Sequence, residues 1–339
     1  MTNGLGSLFA AALAISALTA LLVTPLVRRL ALQVGMLDRN DDRRMHADPK
    51  PRIGGLAVFL GFSFALFTTV GFALQATKLF HRTEDIHSFF GLLFGGTLIL
   101  MVGVWDDVMG MSSRAKLFAQ TIVALISMLY GFVIHGFDVE VFGAYVSLPI
   151  WAALPLTLVW YLGMMNAINF LDGLDGLLAG VTAISGLFLF AIALGHGHLV
   201  AALVLCSLVG GALGFLPYNF NPAKIILGDT GSLFIGYIFA TVSVMTTSKT
   251  AIAVGLLVPL VALALPVVDT AFAILRRARA GKRITQADRG HFHHLLVFKF
   301  GLNVRQAVLL IYLLTFALGA AAYILSGGFP THLRLAGVL

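Results

Sequence analysis

Stretches of about 20 apolar residues recur along this chain, each close to the length a helix needs to cross roughly 30 Å of hydrocarbon. Lipid offers no partner to free backbone groups, so such stretches must be helices with their hydrogen bonds satisfied internally. Over 339 residues, 59% are hydrophobic and only 11% charged, far from the roughly 25% charged residues of soluble domains. With a mean hydropathy of +0.96, a soluble fold is excluded. The expected fold class is an all-α polytopic membrane protein, one transmembrane domain over residues 1–339. Ten spans are expected: 5–27, 53–76, 88–104, 117–134, 148–165, 176–194, 199–217, 230–248, 251–275 and 305–325. The first has no basic segment before it and no small-residue cleavage site after it, so it reads as a retained span rather than a signal peptide. The only cysteine, Cys206, lies inside an apolar run, which excludes disulfides and cysteine-based metal sites.

Charge sets the expected orientation. The odd-to-even connections hold 18 of the 22 Lys and Arg residues, leaving Lys78, Arg82, Lys249 and Arg334 to the other face. The positive-inside rule then puts those connections in the cytoplasm and both termini outside. A net charge of +7 is accounted for by orientation and attraction to anionic headgroups, with no need for nucleic acid. The external connections bearing His81 and His87, and Asp138 and Glu140, read as solvated connectors. No internal repeat is evident, so an inverted-repeat transporter gains no support.

Ten of the fifteen acids fall on the same face as most of the basic residues: Asp38, Asp41, Asp42, Asp48, Asp106, Asp107, Asp172, Asp175, Asp229 and Asp288. Acids at helix ends and on neighbouring loops, with Gly-rich turns between them, suit a hard cation and a phosphate ester. In GVWDDVMGMSSRAKLFAQ, the adjacent carboxylates Asp106 and Asp107 repel unless a cation is near; Arg114 and Lys116 follow, and could equally be snorkelling anchors. In NAINFLDGLDGLLAG, the three-residue spacing of Asn166, Asn169, Asp172 and Asp175 places all four on one stripe if the segment is helical. Polar groups at that depth face a cavity or a partner, although a wet turn through Gly173 and Gly176 is the plainer reading. In NPAKIILGDTGSLFIGY, Gly228, Asp229 and Gly231 precede an apolar helix with Thr230 and Ser232 as caps. A helix start suits phosphate, and Asp229 beside it could hold the metal that the phosphate also touches.

RRARAGKRITQADRGHFHHLL sets His291, His293 and His294 among Arg283, Asp288 and Arg289, which reads better as donors around a pyrophosphate than as a zinc site. LPVVDTAF puts Asp269 after Pro266 within an apolar helix, facing a groove or pairing with Arg276 or Arg277. DRNDDRRMHADPKPRIGG reads as a stiff loop entering the second span.

Together, and in this order, these segments resemble one family: the polyprenyl-phosphate N-acetylhexosamine-1-phosphate transferases, the WecA, TagO and MraY group of glycosyltransferase family 4. The resemblance runs from about Asp38 to Leu296. WDDVMG is similar to the family's aspartate-pair motif, NAINFLDGLDGL to its asparagine and aspartate motif, and NPAKIILGDTGS to its metal-site loop. DRGHFHHLL resembles the histidine loop of the WecA and TagO branch more than the MraY form. A departure is the short end, where only GGFPTHLRLAGVL follows the tenth span while WecA-like members often have an eleventh.

The resemblance implies transfer of a sugar 1-phosphate from a UDP-N-acetylhexosamine, of the UDP-N-acetylglucosamine type, to undecaprenyl phosphate, releasing UMP at the cytoplasmic face of a bacterial plasma membrane. It implies Mg²⁺, with Mn²⁺ a substitute, held by Asp229 and Asn169. It makes Asp106, Asp107, His291, His293 and His294 catalytic, with Asp106 positioning or deprotonating the lipid phosphate. Lys116, Asn166, Asp172, Asp175, Arg289 and Asp269 become substrate-binding. Membrane lipids are the other partners, and a homodimer is compatible with the sequence. Alternatives are a UDP-muramoyl-pentapeptide transferase of peptidoglycan synthesis or, in another class, a carrier or flippase, which would place acids near span centres, where only Asp269 comes close.

Overall fold

The structure, a computed structural model, describes residues 2–37, 50–76, 83–139, 144–247, 264, 268 and 292–326. In chain order the elements are α1 (Thr2–Gln33), α2 (Gly55–Ala76), α3 (Thr83–Met109), α4 (Ser113–Leu129), β1 (Gly136–Val139), β2 (Ala144–Ser147), α5 (Ile150–Leu171), α6 (Leu177–Gly195), α7 (Leu199–Asn219), α8 (Gly228–Thr247), α9 (Phe292–Phe298) and α10 (Val304–Leu325). Nine expected spans coincide with a helix; the one at 251–275 lies almost wholly outside the described residues. Among the described residues, six helices, α1, α3, α5, α6, α7 and α10, are long and apolar enough to cross a membrane by length and composition, and α2 carries a shorter apolar stretch. The protein is thus an all-α polytopic membrane protein, and the count of ten is not itself fixed by the described helices. The connector carrying Asp138 is an antiparallel ribbon in which Asp138 pairs with Tyr145; the expectation of a plain loop missed its alternating apolar residues, and Glu140 lies outside the described residues.

Two helices form the centre. α7 packs on α1, α2 and α6, and α8 packs on α2, α3 and α5. Both are buried along most of their length, and in α8 small hydroxyl residues such as Thr230, Ser232, Thr241 and Ser243 lie buried beside Leu233, Phe234, Ile238 and Phe239. The outer helices keep an apolar stripe for lipid instead: Leu18, Leu22, Leu26 and Leu30 recur every four residues along α1 and are all exposed.

Without water to expel, packing between membrane helices depends on close approach, which small residues allow. A Cβ on Gly55 of α2 would lie 2.1 Å from Gly231 Cα, and one on Gly103 of α3 would lie 2.5 Å from the Asp229 carbonyl oxygen. Polar side chains in the core bond either backward to their own helix or across to a neighbour. Ser16 donates to the Ser207 carbonyl at 2.6 Å, tying α1 to α7, and Tyr161 of α5 donates to Thr241 of α8 at 3.0 Å.

The start of α2 is held against the start of α8 by backbone. Gly54 N–H donates to Ile226 O (3.0 Å), Gly55 N–H to Leu227 O (2.8 Å) and Ile226 N–H to Pro51 O (3.0 Å). These bonds satisfy donors that a helix start leaves without partners. They also bring the loop before α2 to the same end of the bundle as the C-terminal ends of α3 and α5.

A candidate active site at one end of the bundle

Five elements end or begin together here. α3 finishes at Met109, and a three-residue turn with Gly110 at φ 74° leads to Ser112, whose hydroxyl accepts Ala115 N–H at 3.2 Å and caps α4. That turn folds Lys116, in the first turn of α4, back against Asp106 in the last turn of α3. Lys116 Nζ lies 2.9 Å from Asp106 Oδ2 and 3.0 Å from Asp229 Oδ2, and it donates to Asn169 Oδ1 at 3.3 Å. Asn169, near the end of α5, turns its amide nitrogen the other way, donating to Asp229 Oδ1 and to Ser232 Oγ (2.7 Å). A single ammonium therefore sits among three oxygen-bearing side chains from three helices.

Asp107 faces elsewhere. Its side chain is fully buried and accepts from Asp229 N–H (3.0 Å), Thr230 N–H (2.9 Å) and the Thr230 hydroxyl (2.7 Å). The cap of α8 is supplied from α3, where the sequence suggested Thr230 and Ser232 as caps within their own segment. A carboxylate at a helix start meets both free N–H groups and the positive end of the helix dipole. Arg52 adds its Nε at 3.4 Å from Asp107 Oδ1. The preceding loop is bent to deliver it: Ile53 has φ 66°, a region that a β-branched residue enters only when its surroundings enforce it. Gly228, at φ 74°, is needed on both counts that favour glycine, because a Cβ there would lie 2.4 Å from Asp107 Oδ2.

The expected stripe of four polar residues is shorter in fact. α5 ends at Leu171 and Asp172 is its C-cap, with ψ 52°, so only Asn166 and Asn169 share the helical face. Two glycines, Gly173 and Gly176, break the helix before the three-residue period can continue. Asp175 lies in the turn and belongs to a second cluster. Its Oδ2 accepts from Lys50 Nζ (2.9 Å), Asn221 Nδ2 (3.1 Å) and Ala223 N–H (2.9 Å). One buried carboxylate thus joins the loop before α2, the turn after α5 and the loop before α8. Asn166 uses its amide nitrogen on Leu162 O and on Gln120 Oε1, both at 2.7 Å.

Of the sequence-based candidates, Asp106, Asp107, Lys116, Asn169 and Asp229 meet in one cluster, Asn166 stands one helical turn behind it, Asp172 caps α5, and Asp175 anchors a neighbouring cluster. His293 and His294 fall on α9, which packs against α10; His291, Arg289 and Asp269 lie outside the described residues. Sequence reasoning gave no role at the site to Lys50, Arg52, Gln120 or Asn221. Lys50 and Arg52 flank Pro51 just before Gly54, and Gln120 is the one amide in the otherwise apolar face one turn beyond Lys116; a costly polar group in such a place was the available signal.

The donors suit a hard divalent cation. Asp106, Asp229 and the Asn169 carbonyl present only oxygen, and Lys116 now bridges them as a positive charge. Among the described residues, no three or more His, Cys, Asp or Glu side chains are grouped to hold a metal. Such a donor set matches Mg²⁺, which binds through one or two carboxylates and takes its remaining ligands from water and substrate phosphates.

Residues 89–247 match the sequence model of a family described as glycosyl transferase family 4. Similar proteins extend the likeness over most of the chain. A Bacillus subtilis strain 168 protein named a probable undecaprenyl-phosphate N-acetylglucosaminyl 1-phosphate transferase is 36% identical over 92% of this chain and 83% of its own length. The decaprenyl-phosphate N-acetylglucosaminephosphotransferase of Mycolicibacterium smegmatis is 33% identical over 92% of this chain and 82% of its own. A phospho-N-acetylmuramoyl-pentapeptide-transferase of Anoxybacillus flavithermus is 30% identical over 80% of this chain and 83% of its own.

Proposed function

This chain belongs to glycosyl transferase family 4, and from that premise we propose that it transfers N-acetylglucosamine 1-phosphate from UDP-N-acetylglucosamine to undecaprenyl phosphate, with release of UMP. A phosphate oxygen of the lipid attacks the sugar-bearing phosphorus of the donor. The bond from that phosphorus to the bridging oxygen breaks, and the electron pair leaves on UMP. The product is the lipid-pyrophosphate-sugar that starts an envelope glycan.

The observation that carries this reading is the cluster of Asp106, Asp229 and Asn169 around the Lys116 ammonium. Both reactants are anionic, so the chief task is neutralisation and alignment rather than covalent chemistry. Asp229 and Asn169 would hold Mg²⁺, with Mn²⁺ able to substitute, and the ion would supply charge neutralisation to the phosphates. Asp106 would position the acceptor phosphate. It need not act as a base, since a phosphate monoester is already mostly ionised at neutral pH. Lys116 keeps Asp106 and Asp229 from repelling one another and offers an ammonium to phosphate oxygen. Asp107 acts through the start of α8, holding Asp229 in place. The histidine segment, including His293 and His294 on α9, would complete the sugar or diphosphate end. On the positive-inside reading this end of the bundle faces the cytoplasm and both termini lie outside.

The greater identity to the N-acetylglucosamine 1-phosphate relative than to the muramoyl-pentapeptide relative favours the smaller donor. The test is a panel of UDP-sugars offered with undecaprenyl phosphate to purified protein in detergent, scored by UMP release under Mg²⁺ titration. UMP release from UDP-N-acetylglucosamine that is lost in Asp229→Ala supports the reading. Turnover of the pentapeptide donor alone, or no release without a sealed vesicle, overturns it.

A further inference from the structure

Behind the cluster lies a second bridge between the same two helices. Lys116 and Gln120 are one turn apart on α4, and Asn169 and Asn166 are one turn apart on α5. The pairs face each other as two rungs: Lys116 Nζ to Asn169 Oδ1 at 3.3 Å, and Asn166 Nδ2 to Gln120 Oε1 at 2.7 Å. Asn166 is fixed in turn by its second N–H on Leu162 O at 2.7 Å, so its amide cannot swing to follow a shift of α4. Gln120 is fully buried, yet among the described residues its Nε2 has no hydrogen-bond partner. An unsatisfied buried donor detracts from stability. What Gln120 contributes is therefore the direction and length of a contact, which an apolar side chain cannot specify.

We propose that Gln120 is a positioning residue for this site: through Asn166 it sets the register of α4 on α5 that keeps Lys116 seated between Asp106, Asp229 and Asn169. Lys116 reaches those three groups on a flexible four-carbon stem, and the backbone from which it reaches must be fixed if the ammonium is to stay centred. Gln120 touches no reactant. The proposal rests on the transfer reaction proposed above for its kinetic readout, and has a second readout independent of that reaction.

Gln120→Met preserves length and removes both the bridging acceptor and the unsatisfied donor, so the variant is expected to fold with little change in thermal midpoint. Its kcat for UMP release is expected to drop by as much as about 100-fold, the scale of an ångström-sized misplacement, with KM for the UDP-sugar within about twofold. Acylation of Lys116 by an amine-reactive reagent, followed by mass spectrometry with exposed Lys299 as internal control, is expected to be several-fold faster than in the unsubstituted protein, because the amine spends less time held by its carboxylates. The reciprocal exchange Gln120→Asn with Asn166→Gln keeps the summed length of the bridge and is expected to recover both readouts. Unchanged kcat, unchanged labelling, or a loss that the exchange does not recover overturns the proposal. If the unsubstituted protein turns over no UDP-sugar, the transfer reaction fails, and the labelling rates alone still decide whether Gln120 holds Lys116.

Discussion

The carboxylate of Asp107 receives both the backbone N–H and the hydroxyl of Thr230, at 2.9 and 2.7 Å, so the last turn of α3 caps the first turn of α8. The neighbouring Asp106 caps no other helix: its Oδ1 accepts Met111 N–H at 2.7 Å in the turn just after its own helix, and its Oδ2 turns toward Lys116. Two adjacent aspartates thus have separable roles. Asp107→Ala is expected to lower stability by about 3 kcal/mol, leaving the buried N–H groups at the start of α8 without their acceptor and removing the carboxylate that faces Arg52. Asp106→Ala is expected to abolish UMP release at a smaller cost in stability, about 1–2 kcal/mol, since it removes one acceptor of Met111 N–H and one of the two carboxylates on Lys116, which keeps Asp229. Thermal unfolding in detergent, measured beside activity, separates the two; equal destabilisation would contradict the assignment.

Lys116 neutralises two carboxylates that otherwise face one another. Lys116→Met is expected to lose activity and to acquire a thermal midpoint that climbs with Mg²⁺, because a divalent ion binding only the folded protein stabilises it by mass action. A midpoint insensitive to Mg²⁺ in this variant would argue that Asp106 and Asp229 do not share a cation.

Gly228 has neither the backbone conformation nor the space for a side chain. Gly228→Ala places a Cβ 2.4 Å from Asp107 Oδ2 at φ 74°, and the expected outcome is a loss of about 1–3 kcal/mol together with most of the activity, since the α8 start that carries Asp229 must shift. Gly35, also at positive φ but with nothing within 4 Å of a built Cβ, is the control: Gly35→Ala is expected to retain activity.

Asp175 accepts from Lys50, Asn221 and Ala223, binding three connections together. Asp175→Asn keeps the shape and removes the charge that Lys50 meets, at an expected cost of about 1–3 kcal/mol. If its role is to hold the loops, limited proteolysis is expected to cut between α7 and α8 sooner in the variant. A variant with unaltered proteolysis but a raised KM for the UDP-sugar would instead assign Asp175 directly to the donor.

Much of this arrangement was open to a reading of the linear chain. The apolar runs located nine of the helices because a helix that must bury its backbone in lipid leaves a run of the right length. The Asp106, Asn169 and Asp229 segments stood out because carboxylates and amides at a membrane boundary are costly unless they do something. What resisted was anything that depends on an end of a helix meeting a distant one. The three-residue spacing from Asn166 to Asp175 pointed to a single stripe, but Gly173 and Gly176 end α5 and send Asp175 to Lys50, 125 positions earlier. Gln120 has no partner within its own segment, and only the packing of α5 brings Asn166 against it.

By itself the sequence determined the solvent of this protein, the approximate places where it crosses, and the end at which its polar groups collect, since those follow from hydropathy and charge summed over short windows. Only tertiary structure decided what each polar group does. Asp106 and Asp107 are chemically identical neighbours, yet successive residues on a helix point about 100° apart, so one meets an ammonium from α4 and the other meets the open N–H groups of α8. A carboxylate's role is set by the partner within about 3 Å of it, and here those partners arrive from residues 116 and 230.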